Sequence, residues 1–320
     1  MVGGNQSFWV MVKKELRDQV MSWRFLIIII LLLLTCMASL YTALSNIRDA
    51  AQSIDADDAF LFLKMFTISD PDSSLPPFIT FISFLGPLLG IGLGFDAINS
   101  ERNNRTLPRV LAQPIPRDYL INAKFTASLL LIGGMLLSLG LIVTALAILS
   151  IGLLPSWEEF WRIIVYILSS VVYVAFWLNL AILCSVRFRQ AATSALASLG
   201  VWLFFSIFFA MIISMIGGAT APKTETATME EAVSSQELIT NLSRVNPSYL
   251  FSEVTTILLT PEIRTLGPLS MEQVVGAIPS PLPLAESLLL IWPQCLALLA
   301  GTLICFAISY IIFMRQEIRT

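Results

Sequence analysis

The chain contains no histidine, and only 13% of its 320 residues are charged. Without imidazole there is no histidine general base, metal ligand or proton relay. Four cysteines occur, Cys36, Cys184, Cys295 and Cys305, with no C-x-x-C spacing. They read as small apolar packing residues and say nothing about redox compartment. No G-x-x-x-x-G-K-[ST] is present, so the loop with which a chain would hydrolyse ATP itself is missing. No signal peptide is expected either: Met1–Arg24 is too long and charged for an n-region, and no small-residue cleavage site follows Phe25–Leu34.

Hydrophobic residues make up 56% of the chain, and the mean hydropathy is +0.81. A soluble domain has about 45–50% apolar and about 25% charged residues. Here the charge is missing in blocks. Phe25–Leu44, Phe78–Phe95, Phe125–Leu154, Ile163–Val186, Ala191–Ile216 and Leu288–Met314 contain no Asp, Glu, Lys or Arg. Each reaches the roughly 17–25 apolar residues that cross a hydrocarbon core as a helix. Only helices or closed barrels satisfy every backbone group in lipid, and runs such as Ile27–Leu34 lack a barrel strand's alternation. The expected fold is all-α: a polytopic membrane protein with six transmembrane helices. A soluble cytoplasmic enzyme is excluded.

Lys and Arg set orientation. With both termini inside, the segments 1–24, 96–124, 187–190 and 315–320 hold 13 Lys/Arg and 6 acids. The outer segments 45–77, 155–162 and 217–287 hold 6 Lys/Arg and 16 acids. Both termini are therefore expected in the cytoplasm, in a multi-pass protein of the cell's inner membrane.

Four parts follow: a cytoplasmic interfacial helix over 1–24, five transmembrane helices over 25–216, an extracytoplasmic piece over 217–287, and the sixth helix with its tail over 288–320. In the first, Phe8, Val12, Leu16, Val20 and Trp23 recur at helical spacing. This stripe fits an amphipathic helix in the inner interface, or simply a basic anchor for the first span. Outer segment 45–77 is acidic, with a short helix expected over Ala56–Phe66. Gly86, Gly90 and Gly94 form a small-residue ridge suited to close helix packing. In 217–287, Thr220–Ala232 is expected to be mobile, and a helix should follow Asn246-Pro247 from Ser248 to Leu259. Pro293 is a candidate kink in the last span.

The most informative stretch is 96–124. A polar run precedes a short apolar-faced helix over Thr106–Gln113, then a Pro-x-Pro turn and a basic return to the bilayer. By composition alone this is a basic loop with a helix on the membrane surface. Its pattern nevertheless resembles the cytoplasmic loop of type-2 ABC transporter permeases: Asp-x-Ile-x-x-Glu-Arg, Thr-Leu, Leu-x-x-Pro-x-x-Arg, Lys. Asp96, Ile98, Glu101, Arg102, Thr106, Leu107, Leu111, Pro114, Arg117 and Lys124 match it. Lys13-Lys14-Glu15-Leu16 resembles that family's "elbow" helix, and Asn246-Pro247 lies where the family often has Asn-Pro. The subgroup most similar has two sizeable outer segments, as in the permeases of nitrous-oxide-reductase maturation. Arg105 departs from the pattern, which has Gly before Thr-Leu.

The resemblance implies a permease subunit, with no catalytic chemistry of its own, that pairs with a second permease as homo- or heterodimer in the lipid bilayer. Two cassette ATPase subunits would dock on its coupling segment, for which Glu101, Arg102, Thr106, Leu107, Arg109, Leu111 and Arg117 are the candidate residues. ATP and Mg²⁺ would sit on the partner, with no cofactor, metal or nucleic acid on this chain. The six charge-free stretches offer no group for proton coupling, in keeping with an outside energy source. An exporter is the expected direction. The alternative is an ATP-independent channel or secondary carrier lined by Ser138, Asn179, Gln294 and Ser309. An intramembrane aspartyl protease is disfavoured, because Asp96 has no second in-span Asp to share its chemistry.

Overall fold

The computed structural model describes residues 4–50, 60, 63, 66–67, 78–104, 116–151, 154–220, 229–262 and 281–315. Among these residues there is no strand. The helices are α1 (Gly4–Val20), α2 (Trp23–Ala50), α3 (Phe78–Gly94), α4 (Asn99–Asn103), α5 (Asp118–Ile151) and α6 (Trp157–Arg187). Then α7 (Ala191–Leu203) runs through a π-turn (Phe204–Phe208) into α8 (Phe209–Thr220), followed by α9 (Met229–Ser243), α10 (Pro247–Leu259) and α11 (Leu284–Arg315). Five described stretches are long and apolar enough to cross a membrane: Phe78–Asn103, Asp118–Leu149, Trp157–Arg187, Ala191–Thr220 and Leu284–Arg315. Counting α1 and α2, bent 64° at their junction, as one broken span makes six. The fold is a polytopic all-α membrane bundle.

α6 is its centre, packed against α3, α5, α10 and α11. It starts on a capping box, in which Ser156 and Glu159 satisfy each other's backbone N–H groups. Tyr173, Trp177, Leu178 and Ala181 are fully buried along it. The glycine ridge of α3 faces them. A Cβ on Gly90 would lie 2.6 Å from the Val174 carbonyl oxygen, and one on Gly94 2.7 Å from that of Leu178. These are backbone atoms, so the two helices approach closely only because the side chains are absent.

α9 and α10 change the picture of 217–287. α9 runs back along α8: Ser235 Oγ donates to the Thr220 carbonyl at 3.4 Å, and Ile239 lies against Gly217. α10 then begins halfway along α6, where Ser248 Oγ is 2.9 Å from Tyr173 Oη. It climbs to Arg162 near the start of α6, which bonds its last carbonyls. Phe251 stacks on Tyr173 with ring centroids 4.3 Å apart, and Phe251, Val254, Ile257 and Leu258 are fully buried. Within the expected extracytoplasmic piece, 229–259 thus form a helical hairpin whose second arm, α10, packs on α6. The mobile stretch expected to end at Ala232 gives way to helix from Met229, while 221–228 lie outside the described residues.

Two further expectations change. Leu63, Phe66 and Thr67 are helical, but Phe60 has φ of 70°, which interrupts a right-handed helix at that residue; the rest of the helix expected over Ala56–Phe66 lies outside the described residues. The stripe assigned to the N-terminal helix also ends early. α1 stops at Val20, Ser22 opens the next helix by accepting from the Phe25 N–H, and Trp23 belongs to α2. α11 continues through Pro293 as a single helix.

Candidate functional site

The end of the bundle that carries α1 holds a compact group of charges, and apolar packing positions it. Phe8, Val12 and Leu16 sit on Ala123 and Ala127 of α5, with Phe8 edge-on to Tyr119 at 5.6 Å. Val20 and Trp23 do not join this contact; both are exposed. The packing turns Glu15 inward, and Gln19 fastens the next turn by donating to Ser128 Oγ at 2.7 Å.

Lys124, in the second turn of α5, is 5% exposed. Its Nζ donates to Glu15 Oε2 at 2.9 Å and lies 3.5 Å from Glu101 Oε1. One buried cation therefore joins two carboxylates, one on α1 and one on α4. Lys14 supplies a second positive charge from the rim, 3.6 Å from Glu15 and 4.0 Å from Glu101. Burying an ammonium is costly unless it is paired and hydrogen-bonded, and this arrangement meets both conditions.

α4 is placed by the turn after α3. There the Ser185 hydroxyl of α6 accepts from the Ile98 and Asn99 N–H groups at 3.0 and 3.2 Å. Arg24 pairs with Asp96 and lies over the Phe95 ring at 4.8 Å. Between these groups opens a polar cleft of about 370 Å³, lined among others by Lys14, Asp18, Gln19, Arg24, Asp96 and Glu101. The structure brings Lys124 together with Asp96 and Glu101, which lie far earlier in the sequence pattern. Arg102 is half-buried on α4, and Arg117 is exposed just before α5. Thr106, Leu107, Arg109 and Leu111, with the helix expected over Thr106–Gln113, lie outside the described residues.

Glu15 and Lys124 were legible only as members of a motif, with no signal that they would meet. Two residues at the opposite end were missed altogether. Arg162, fully buried, donates to the carbonyls of Ile257, Leu258 and Leu282 and to Glu158, and lies over the Phe60 ring. Glu253, also buried, accepts from Arg244 and from Gln294 at 3.2 Å. Of the polar residues considered for a lined path, Asn179 donates to the Thr302 carbonyl of α11. Ser138 and Ser309 bond within their own helices.

Residues 9–318 match the family model described as ABC-2 family transporter protein. A relative from Stutzerimonas stutzeri, "Probable ABC transporter permease protein NosY", is 26% identical over 239 residues, covering 73% of this chain and 77% of the relative. A protein of the same name from Pseudomonas aeruginosa is 31% identical over 144 residues, covering 42% of this chain and 49% of the relative. The family match takes in both ends of the bundle, from α1 and its buried Glu15 to α11, and the chain belongs to the ABC-2 family of transporter permeases.

Proposed function

We propose that this permease is half of an ABC exporter of the inner membrane, driven by separate ATPase subunits that dock beside the Glu15–Lys124–Glu101 cluster. Both termini and this end of the bundle face the cytoplasm, in keeping with the excess of Lys and Arg there. Two copies, or this chain and a related permease, pair in the bilayer, each with one ATPase subunit that carries ATP and Mg²⁺. The observation that carries the reading is the buried Lys124. It ties α1 and α5 to the chain that leads into 105–115, so a push on that segment moves three elements together.

The test is co-expression with a cassette ATPase from the same operon. The ATPase is expected to co-purify with the permease, and Glu101→Ala is expected to abolish the permease's effect on ATP turnover while the complex stays assembled and monodisperse. Arg109→Glu tests the docking segment in the same assay. Wild-type turnover in both variants overturns the coupling role, and failure of any such ATPase to co-purify overturns the reading itself.

A further inference from the structure

Span five is broken in its middle by the π-turn Phe204–Phe208, where the Phe209 N–H reaches back five residues to the Phe204 carbonyl. A single π-turn accommodates one extra residue in an α-helix, and such turns concentrate at functional sites. Here the turn is held from outside. Asn246 Nδ2 donates to the Phe205 carbonyl at 2.8 Å, across the gap between span five and the α9–α10 hairpin. The same side chain uses its other end to cap α10, its Oδ1 accepting from the Ser248 N–H at 2.9 Å. Ser248 in turn meets Tyr173 of α6, whose hydroxyl donates to the Ser83 carbonyl of α3. One amide thus links the only π-turn among the described residues to the fixed centre of the bundle.

The two halves of span five differ in how firmly they are held. α7 packs on α6 and α3, with Trp202 edge-on to Phe84 at 5.0 Å. α8 touches α9 and the π-turn, and it exposes Met211 and Met215. If the π-turn closes to a regular α-turn, α8 rotates about 100° and shifts about 1.5 Å relative to α7. That change would replace the whole face α8 presents. We propose that Asn246 is a positioning residue for transport, which sets the rotational position of α8 by holding the Phe205 carbonyl and releases it when the α9–α10 hairpin moves. The proposal rests on the transport reading for its role in the cycle, but the latch itself is a property of this chain alone.

Asn246→Asp separates the two functions of the side chain. Aspartate remains a good N-cap acceptor for the Ser248 N–H, but it presents oxygen where the amide donated to Phe205. Spin labels at Met215→Cys and Trp157→Cys, in a chain whose four cysteines are replaced by alanine, report the position of α8 against α6. The measurement is made on the full chain in phosphatidylethanolamine–phosphatidylglycerol nanodiscs, without ATPase. The chain that keeps Asn246 should give one main distance. The Asn246→Asp variant should add a second population displaced by up to about 8 Å, the chord for a side chain on a helix rotated by 100°. Asn246→Ala, which loses cap and latch together, should give the same displaced population and a lower melting temperature. An unchanged distance distribution in Asn246→Asp overturns the latch, whatever the outcome of ATPase co-purification. So does displacement in Asn246→Ala alone, since that would trace the movement to loss of the cap.

Discussion

The two ends of the bundle both bury a cation, and they do so in different ways. At the α1 end, Lys124 is held by carboxylates on flanking elements, beside an open polar cleft. At the opposite end, Arg162 is held mainly by backbone carbonyls, at the C-terminus of α10 and just before α11. Side-chain carboxylates have rotamers to spare and can trade partners as elements shift. Backbone carbonyls do not move without their helix. The α1 end is therefore built as an adjustable joint, and the opposite end as a staple that fastens the end of α10 and the start of α11 to α6.

Breaking the staple should have the largest effect. Arg162→Leu strands several buried carbonyls at once, each worth about 1–3 kcal/mol when left without a donor, so a loss of about 4 kcal/mol is expected in a denaturant titration in detergent. Arg162→Lys, which keeps the charge but not the forked geometry, should recover only part of this. Little loss in Arg162→Leu would erase the distinction between the two ends.

Lys124→Met comes next. It leaves Glu15 and Glu101 facing each other in a buried site, and removal of one partner from such a pair costs about 3 kcal/mol. The comparison sharpens if Glu15→Leu combined with Lys124→Met restores most of that loss, because a joint made only of side chains can be replaced by an apolar contact. A double variant no more stable than Lys124→Met would mean that the joint, too, is anchored to backbone.

A smaller effect is expected at the seam that holds the two ends at their separation. Gly90→Ala puts a methyl group against the Val174 carbonyl and the Leu178 N–H, neither of which can turn aside. Overpacking of this kind costs about 2 kcal/mol. Gly134→Ala on α5, where nothing lies within 4 Å, is the control and should change stability by less than about 0.5 kcal/mol. The smallest effect belongs to Lys14→Ala. With its side chain 58% exposed, Lys14 makes surface pairs worth at most about 0.5 kcal/mol.

Much of this molecule was legible in one dimension. The charge-free stretches located the spans, because lipid excludes charge over a fixed length whatever the helices pack against. The helix at Pro247 was legible from Asn246-Pro247, an N-cap followed by a residue with no N–H to lose. Its location was not. The polar residues around it suggested a solvated segment, yet α10 is buried because its apolar face finds Tyr166 and Tyr173 on a helix about 80 residues earlier. Arg162 was counted as an outer loop charge for the same reason: its partners lie near residues 257 and 282.

The N-terminal stripe shows the limit on a smaller scale. Periodicity placed Phe8, Val12 and Leu16 on one face, and it placed Val20 and Trp23 there as well. The bend at Met21-Ser22, where Ser22 Oγ donates back to Gln19 and the chain turns by 64°, moves Trp23 onto the next helix, and Val20 ends α1 exposed. Composition, then, determined that this chain spans a membrane as helices, since solvation by lipid acts on each segment independently. The tertiary structure decided which charges meet, which segment packs back on the bundle and where span five is broken. Those outcomes depend on contacts between residues far apart in the chain, and no local pattern encodes them.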